Sequence, residues 1–348
     1  MVQGLCDAGV DRHDDRLDMA VEWIKQRQIL GPEGDWRIYG PQVTPGGFGF
    51  EYHNTWYPDI DDTVAAILSL VRHDPAAVTS EPVLAAIRWV LGMQNKDGGW
   101  AGFDKDNNQT WLNKLPVADL NNLCDPSSPD CAGHVIEAFG LVMHTARGIG
   151  LHLNPWLEIQ MTAACDRAIG YLERTQEATG AWYGRWAVNY VFGTSNVLNG
   201  LAYFERDARV RTMQQPAIGW LKMMRNADGG WGESVLSYRD PAQHAGRGPS
   251  TPSQTAWALM GLLTTCAPDD ADVLAGVSYL LRTQTDVRPN SSAASWPERQ
   301  YTGTGFPNHF YIGYTLYRHY FPLMALGRFV SASDLESEKR CSDEKLRR

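Results

Sequence analysis

Gln94-Asn95-Lys96-Asp97-Gly98-Gly99-Trp100 and Gln176-Glu177-Ala178-Thr179-Gly180-Ala181-Trp182 are two copies of one turn, and their reading decides the fold. In each, an aromatic residue stands five positions before the glutamine, and a tryptophan follows a Gly-containing turn. Trp89 precedes Gln94 and Tyr171 precedes Gln176; the order recurs at Trp23/Gln28, Trp220/Arg225 and Tyr279/Gln284. Arg225 to Trp231 keeps the turn but has lost the glutamine, while Gln28 to Trp36 and Gln284 to Trp296 are stretched copies. Glycine just past a helix adopts the left-handed conformation that other residues avoid, so each copy reads as a closed helix C-terminus. The Gln amide can bond backbone near the next turn, and the Trp can cover that joint.

Between these amphipathic segments lies a second helix type, rich in Ala, Gly, Leu and Thr and poor in charge: Asp62–Leu70, Cys131–Met143, Ser195–Phe204, Pro252–Thr265 and Tyr314–Leu326. A helix apolar on every side is buried on every side. Exposed and buried helices therefore alternate, at an irregular pitch of about 50–80 residues. No strand pattern competes. The expected fold is all-α: an α/α barrel (toroid) over residues 1–330, buried helices inside, amphipathic ones outside. Consecutive inner helices then run parallel and share one mouth. Only Met1–Val10 is left for the first inner helix, which reads as incomplete. From Ser331 the charged segment 331–348 reads as a flexible tail.

Composition narrows the function. The chain has 348 residues, 43% of them hydrophobic, and a formal charge of -9. The acidic balance argues against nucleic acid. No apolar run reaches the ~18 residues of a membrane span, and the N-terminus lacks the order of a signal peptide. Cys6, Cys124, Cys131, Cys165, Cys266 and Cys341 are scattered without a C-x-x-C pair, which argues against a disulfide framework or structural zinc and for a reducing compartment. No P-loop or dinucleotide fingerprint appears. Asp14-Asp15-Arg16-Leu17-Asp18 matches a magnesium-binding D-D-x-x-D pattern, but capping and solvation at the start of an outer helix account for it.

The segments before the inner helices carry the chemistry. Asp59-Ile60-Asp61-Asp62-Thr63 opens the second inner helix. Aspartates cap helices, and capping alone would explain one or two of them. Three carboxyls in four residues exceed that need; like charges in a low-dielectric pocket cannot all ionise, so one keeps a proton. His134 occupies the equivalent point of the next inner helix, where it is either a satisfied core residue or a hydrogen-bond donor to that acid. Phe50, Trp186, Phe306 and Phe310 also fall at the mouth. Such rings are core or lining; as lining they suit carbocations, because a π face stabilises a cation without attacking it.

These residues resemble the squalene–hopene cyclase family. The D-x-D-D-T element at Asp59–Thr63 and the Q-W turns carry the resemblance, with Pro45-Gly46-Gly47-Phe48, Asp130–His134, Gly184-Arg185-Trp186, Thr251–Leu259 and Tyr301–Pro307. The resemblance implies that Asp61 protonates the terminal alkene of squalene or a related polyprene, that Asp59 and Asp62 assist, and that His134, with Asp130 nearby, raises its acidity. It implies that Phe50, Phe306, Phe310, Trp186 and the more peripheral Trp36 stabilise cations, and that Tyr314 and Tyr317 shape the pocket. Phe103 and Phe192 stand where the family commonly has Tyr, and Leu120 where it has Phe, so the product can differ from hopene. No metal or organic cofactor is implied. A lipid substrate implies an intracellular protein attached to one membrane face, with a homodimer among the expectations. Family members are nearly twice as long, a second α-barrel domain preceding this one. The alternatives are a class II cyclase of a shorter prenyl chain, sesqui- or diterpenoid, and a non-catalytic barrel fragment.

Overall fold

The computed structural model describes residues 1–346 apart from 52, 54, 55, 118, 119, 121 and 287–292, with side chains through residue 338. Among the described residues an inner ring is built from α1 (Val2–Asp7), α4 (Ile60–His73), α6 (Pro129–Gly148), α8 (Tyr190–Leu201), α11 (Pro252–Leu262) and α13 (Tyr317–Leu346). Each packs on the next, and α13 packs on α1, so the ring closes. Around it stand α2 (Asp15–Lys25), α5 (Glu81–Gly92), α7 (Pro155–Thr175), α9 (Ala208–Met223) and α12 (Ala271–Thr283). Two single-turn helices, α3 (Trp36–Tyr39) and α10 (Pro241–His244), lie in connections. The expected α/α barrel is the fold of this chain.

Patterning explains the two rings. Every residue of α8 and α11 is buried. The outer helix α12 buries only Val273, Gly276, Val277, Tyr279 and Leu280, a single stripe at helical spacing. Glycine brings inner helices together: a Cβ on Gly200 would stand 2.3 Å from the Gly133 carbonyl oxygen, so only this pairing lets α6 and α8 approach so closely.

The repeat turns bolt neighbouring outer helices together. Gln94 Nε2 donates to the Gly98 carbonyl of its own turn and to the Ala164 carbonyl of α7, at 2.8 and 2.9 Å. Gln176 does the same with Gly180 and with Met213 of α9, and Gln28 with Gly46 and with Pro82 of α5. Four of the following indoles donate back into the helix they close, Trp100 to Val90, Trp182 to Leu172, Trp231 to Leu221 and Trp296 to Leu280, whereas Trp36 donates to Glu33 in its own connection. Carbonyls in a last helical turn lack intrahelical partners, and the indole satisfies one of them. Where the glutamine is replaced, Arg225 ion-pairs with Asp272 of α12, so the joint persists by another chemistry. Asp14 caps α2 through the Arg16 N–H and pairs with the Arg16 side chain, the capping role expected of the Asp14–Asp18 run.

Several boundaries differ from expectation. Helix α8 begins at Tyr190 rather than Ser195, because Glu233 accepts the N–H groups of Asn189 and Val191 and caps it from 42 residues away. Helix α13 begins at Tyr317 rather than Tyr314, because the preceding chain is drawn into a hairpin. Three short strand pairs occur where none were expected: β1 (Phe48–Gly49) with β2 (Pro58–Asp59), β3 (Thr285–Asp286) with β4 (Ala294–Ser295), and β5 (Gly303–Phe306) with β6 (Phe310–Ile312). Pairs of two to four residues are too short to show an alternating pattern. The segment from Ser331, read above as a flexible tail, continues α13 to Leu346; it holds Glu, Lys and Leu, good helix formers, and no Gly or Pro.

Candidate active site

The N-termini of α4, α6, α8 and α11 meet at one end of the barrel. Asp59 is the N-cap of α4, its Oδ1 accepting the Asp62 N–H at 2.7 Å. It is 4% exposed, and its Oδ2 has no hydrogen-bond partner among the described residues. Burial first, then the charges of Asp62 and Asp61, holds the Asp59 carboxyl well above the usual range. Burial and the Asp61 charge push Asp62 up to about 6. Asp62 also lines a cavity of ≈ 550 Å³ with Phe48, Phe50, Ala65 and Ser69, on the side of Trp23 and Ile24 in α2.

Asp61 points the other way, toward α6. His134 Nδ1 lies 2.5 Å from Asp61 Oδ1. Burial alone would lower the imidazole pKa; the Asp61 charge and hydrogen bond, with the charges of Glu137 and Asp130, outweigh it and raise the value to about 9. The imidazolium then donates Nδ1–H to Asp61 Oδ1 and leaves Oδ2 free of that bond. The Asp61 side chain is 40% exposed at the mouth.

Asp130 has a different task. Its Oδ2 accepts the N–H groups of Arg185 and Trp186 at 2.7 and 2.9 Å, and its Oδ1 accepts the Cys131 N–H at 3.1 Å. It anchors the Arg185–Trp186 loop and influences His134 through charge rather than contact. Burial raises its pKa. The loop is tied further by Arg185 Nη1 to the Gly305 carbonyl and by the Thr304 N–H to the Trp186 carbonyl. Tyr238 joins the same parts, its hydroxyl bonded to the Gly184 and Ala187 carbonyls and to Thr304 Oγ1.

Two sets of aromatic rings flank the dyad. In the first, Phe192 stands edge-on between His134 at 6.4 Å and Trp257 at 4.9 Å; Trp257 meets Tyr317 at 5.9 Å and Phe321 at 5.2 Å. Tyr317 continues to Tyr314 at 4.7 Å, and Tyr314 to Phe50 at 6.2 Å. Burial, then the charges of Asp62, Asp61 and Asp59, pushes Tyr314 up to about 12, which puts its hydroxyl within reach of the trio's field. In the second set, Phe103 packs edge-on against Trp186 at 5.5 Å, and the Arg185 guanidinium lies 4.2 Å over the Trp186 ring. Phe306 and Phe310 face each other across the β5–β6 hairpin, Phe310 half exposed. Trp36 stands apart: it is 2% exposed and packs edge-on against Trp89 of the outer helix α5.

Sequence reasoning missed Glu233, Arg185, Tyr320, Phe321 and Gly102. Tyr320 and Phe321 follow Tyr317 at helical spacing, which would have placed them beside it. Glu233, buried at the α8 N-terminus, has no local signal. Among the described residues no group of His, Cys, Asp and Glu could hold a metal ion, and no helix is long and apolar enough to cross a membrane.

The family model "squalene-hopene cyclase C-terminal domain" matches residues 1–331. The squalene hopane cyclase afumA of Aspergillus fumigatus is 52% identical over 316 residues, covering 83% of this chain and 42% of that protein. The squalene–hopene cyclase of Alicyclobacillus acidocaldarius is 42% identical over 333 residues, covering 95% and 49%. The terpene cyclase-glycosyl transferase fusion protein fsoA of Humicola fuscoatra is 45% identical over 351 residues, covering 98% and 26%. The chain thus spans less than half the length of each of these relatives. In fold it resembles the type II terpene cyclase MstE from Scytonema, with a TM-score of 0.61 at 19% identity over 96% of this chain and 87% of that one. On the family match over residues 1–331 and the identity to these cyclases, the chain belongs to the squalene-hopene cyclase family, of which it carries the C-terminal domain.

Proposed function

We propose that this chain supplies the proton donor and the aromatic half-chamber of a class II triterpene cyclase, an isomerase of the intramolecular transferase kind, acting on squalene or a related polyprene to form a hopene- or hopanol-like product. The observation that carries the reading is the Asp61–His134 contact between two raised carboxyls. The imidazolium bonded to Oδ1 pairs with the carboxylate that remains once the Oδ2 proton has left. The α4 N-terminus stabilises that carboxylate as well. Asp59, held well above the usual range, and Asp62, raised less, can relay a proton back to Asp61.

In the proposed step the π pair of the terminal double bond takes the Asp61 proton at its inner CH carbon and leaves a tertiary cation on the dimethyl carbon. Successive double bonds attack it, each closing a ring and moving the charge onward, until a proton is lost or water adds. Phe192, Tyr314, Tyr317, Phe50, Phe103, Trp186, Phe306 and Phe310 offer ring faces or edges to those charges. Asp61 is 40% exposed here, so a covering wall must exclude water while cations exist. Trp111, Leu115, Val117, Leu120 and Leu123 are exposed within one stretch of chain and suit contact with one face of a membrane, from which a lipid substrate would come.

The test is incubation with squalene in detergent, alone and with the remaining portion of a relative such as afumA, with geranylgeranyl and farnesyl substrates in parallel. A cyclised squalene product supports the proposal. Cyclisation of the shorter chains alone would reassign the substrate, and no cyclic product from any arm would remove the reading.

A further inference from the structure

The turn after the first clean repeat, Trp100-Ala101-Gly102-Phe103, lies between the acid and the aromatic lining. The Gly102 carbonyl accepts the Ile60 N–H at 2.8 Å, which ties down the residue between Asp59 and Asp61. On its other side Gly102 is covered by the Trp186 indole. A Cβ built on Gly102 would fall 2.5 Å from Trp186 Cζ2 and 3.0 Å from Cε2. That is closer than a packed core tolerates, so the ring would have to move. Gly102 does not have a positive φ, so the position demands space rather than glycine's backbone freedom. The ring is clamped elsewhere, by Phe103 at its edge and Arg185 over its face, and by Asp130 and Thr304 on its backbone. One residue therefore touches both the acid-bearing turn and the ring.

We infer that Gly102 is a specificity-determining positioning residue: the room left by its missing side chain sets where the Trp186 ring stands relative to the Asp59–Asp62 turn, and so where along a polyene a cation meets that ring. The inference rests on the cyclase reading above. Cation–π attraction is confined to about 6 Å from the ring centroid, so a displacement of about 1 Å changes which carbon is best stabilised.

Gly102→Ala tests this in two measurements. A crystal structure of the variant should show the Trp186 ring displaced with the bond from the Ile60 N–H retained; an unmoved ring overturns the inference. In the cyclase assay the ratio of partly to fully cyclised product should change by about threefold or more with KM nearly constant, and an unchanged ratio overturns it equally. Gly219→Ala is the control, since nothing lies within 4 Å of a Cβ there, and should leave the ratio as it was. If Gly102→Ala does not fold, it is added to Trp186→Phe, whose smaller ring makes room. A further change in ratio below about twofold supports action through the ring, and a larger, additive change overturns it. If the parent protein forms no cyclic product, the cyclase reading fails separately. Binding of dodecyltrimethylammonium, a hydrocarbon cation, then decides the inference: affinity changed by about fivefold or more in Gly102→Ala supports it, and equal affinity overturns it.

Discussion

His134 Nδ1 stands 2.5 Å from Asp61 Oδ1, although the two residues are 73 positions apart in the chain. The contact exists because α4 and α6 are neighbours in the inner ring and start at the same end of it. Asp61→Asn removes the proton donor and should reduce cyclisation to background. His134→Gln keeps a hydrogen-bond donor but loses the positive charge, and should lower kcat by about 10²-fold or more with little change in KM. Product formation by gas chromatography is the measurement, with circular dichroism to confirm folding. Turnover by Asp61→Asn would move the acid to another residue.

The same pair sets a pH dependence of stability. His134 titrates at about 9, above its ordinary 6.5, so its contribution is complete below about 6.5 and is lost as pH rises through 9. Asp62 at about 6 also lies above its ordinary value, so the fold favours its protonated form and loses that preference between about pH 4 and 6. Both effects have one sign: stability falls as pH rises. Between pH 7 and 9 the His134 share is on the order of 1 kcal/mol, after allowing for water at the partly exposed Asp61. Urea denaturation at pH 5, 7 and 9 would record it, and His134→Gln should flatten the decline above pH 7. A parent protein equally stable at pH 7 and 9 would contradict the charged imidazole.

A second buried charge cluster holds the ring together. Asp7 of α1 accepts from Arg72 of α4 at 2.9 Å and from Arg328 of α13 at 3.1 Å. Glu137 of α6 accepts from the same two arginines at 3.3 and 3.4 Å, and Arg328 also reaches Asn199 of α8. None of the four charged side chains is more than 19% exposed. Glu137→Gln leaves two guanidiniums sharing one carboxylate and should destabilise the fold by about 3–5 kcal/mol, read from urea denaturation. A loss below about 1 kcal/mol would mean that the remaining groups rearrange to satisfy both arginines.

The repeat glutamines make a separable prediction. Gln94 bridges two carbonyls and accepts from Arg167, all in a buried joint. Gln94→Ala strands those groups and should cost about 1–3 kcal/mol. Gln26→Ala, which removes only an exposed contact with Glu22, should fall within about 0.5 kcal/mol of the parent. Equal melting temperatures for the two variants would show that the bridges contribute nothing net.

The sequence by itself determined the architecture. Helix caps, Gly-closed turns and the contrast between one-sided and all-round apolar helices are local signals, and local energies write them into adjacent residues. They sufficed to place Trp100 and Trp182 at the ends of outer helices and Asp59 at the start of an inner one. The family resemblance added roles to Asp61, His134 and the mouth aromatics. What the tertiary structure alone decided is which groups meet. Asp130 and His134 are both on α6, yet one holds a loop and the other an acid, because their partners come from different neighbours in the ring. Glu233 caps α8 from a distant loop and moves its start by five residues. Trp36, expected near the cavity, is buried against Trp89. Gly102 gains its importance only when Ile60 and Trp186 arrive on its two sides. These outcomes depend on contacts between residues tens of positions apart, and no propensity or spacing within a single segment encodes them.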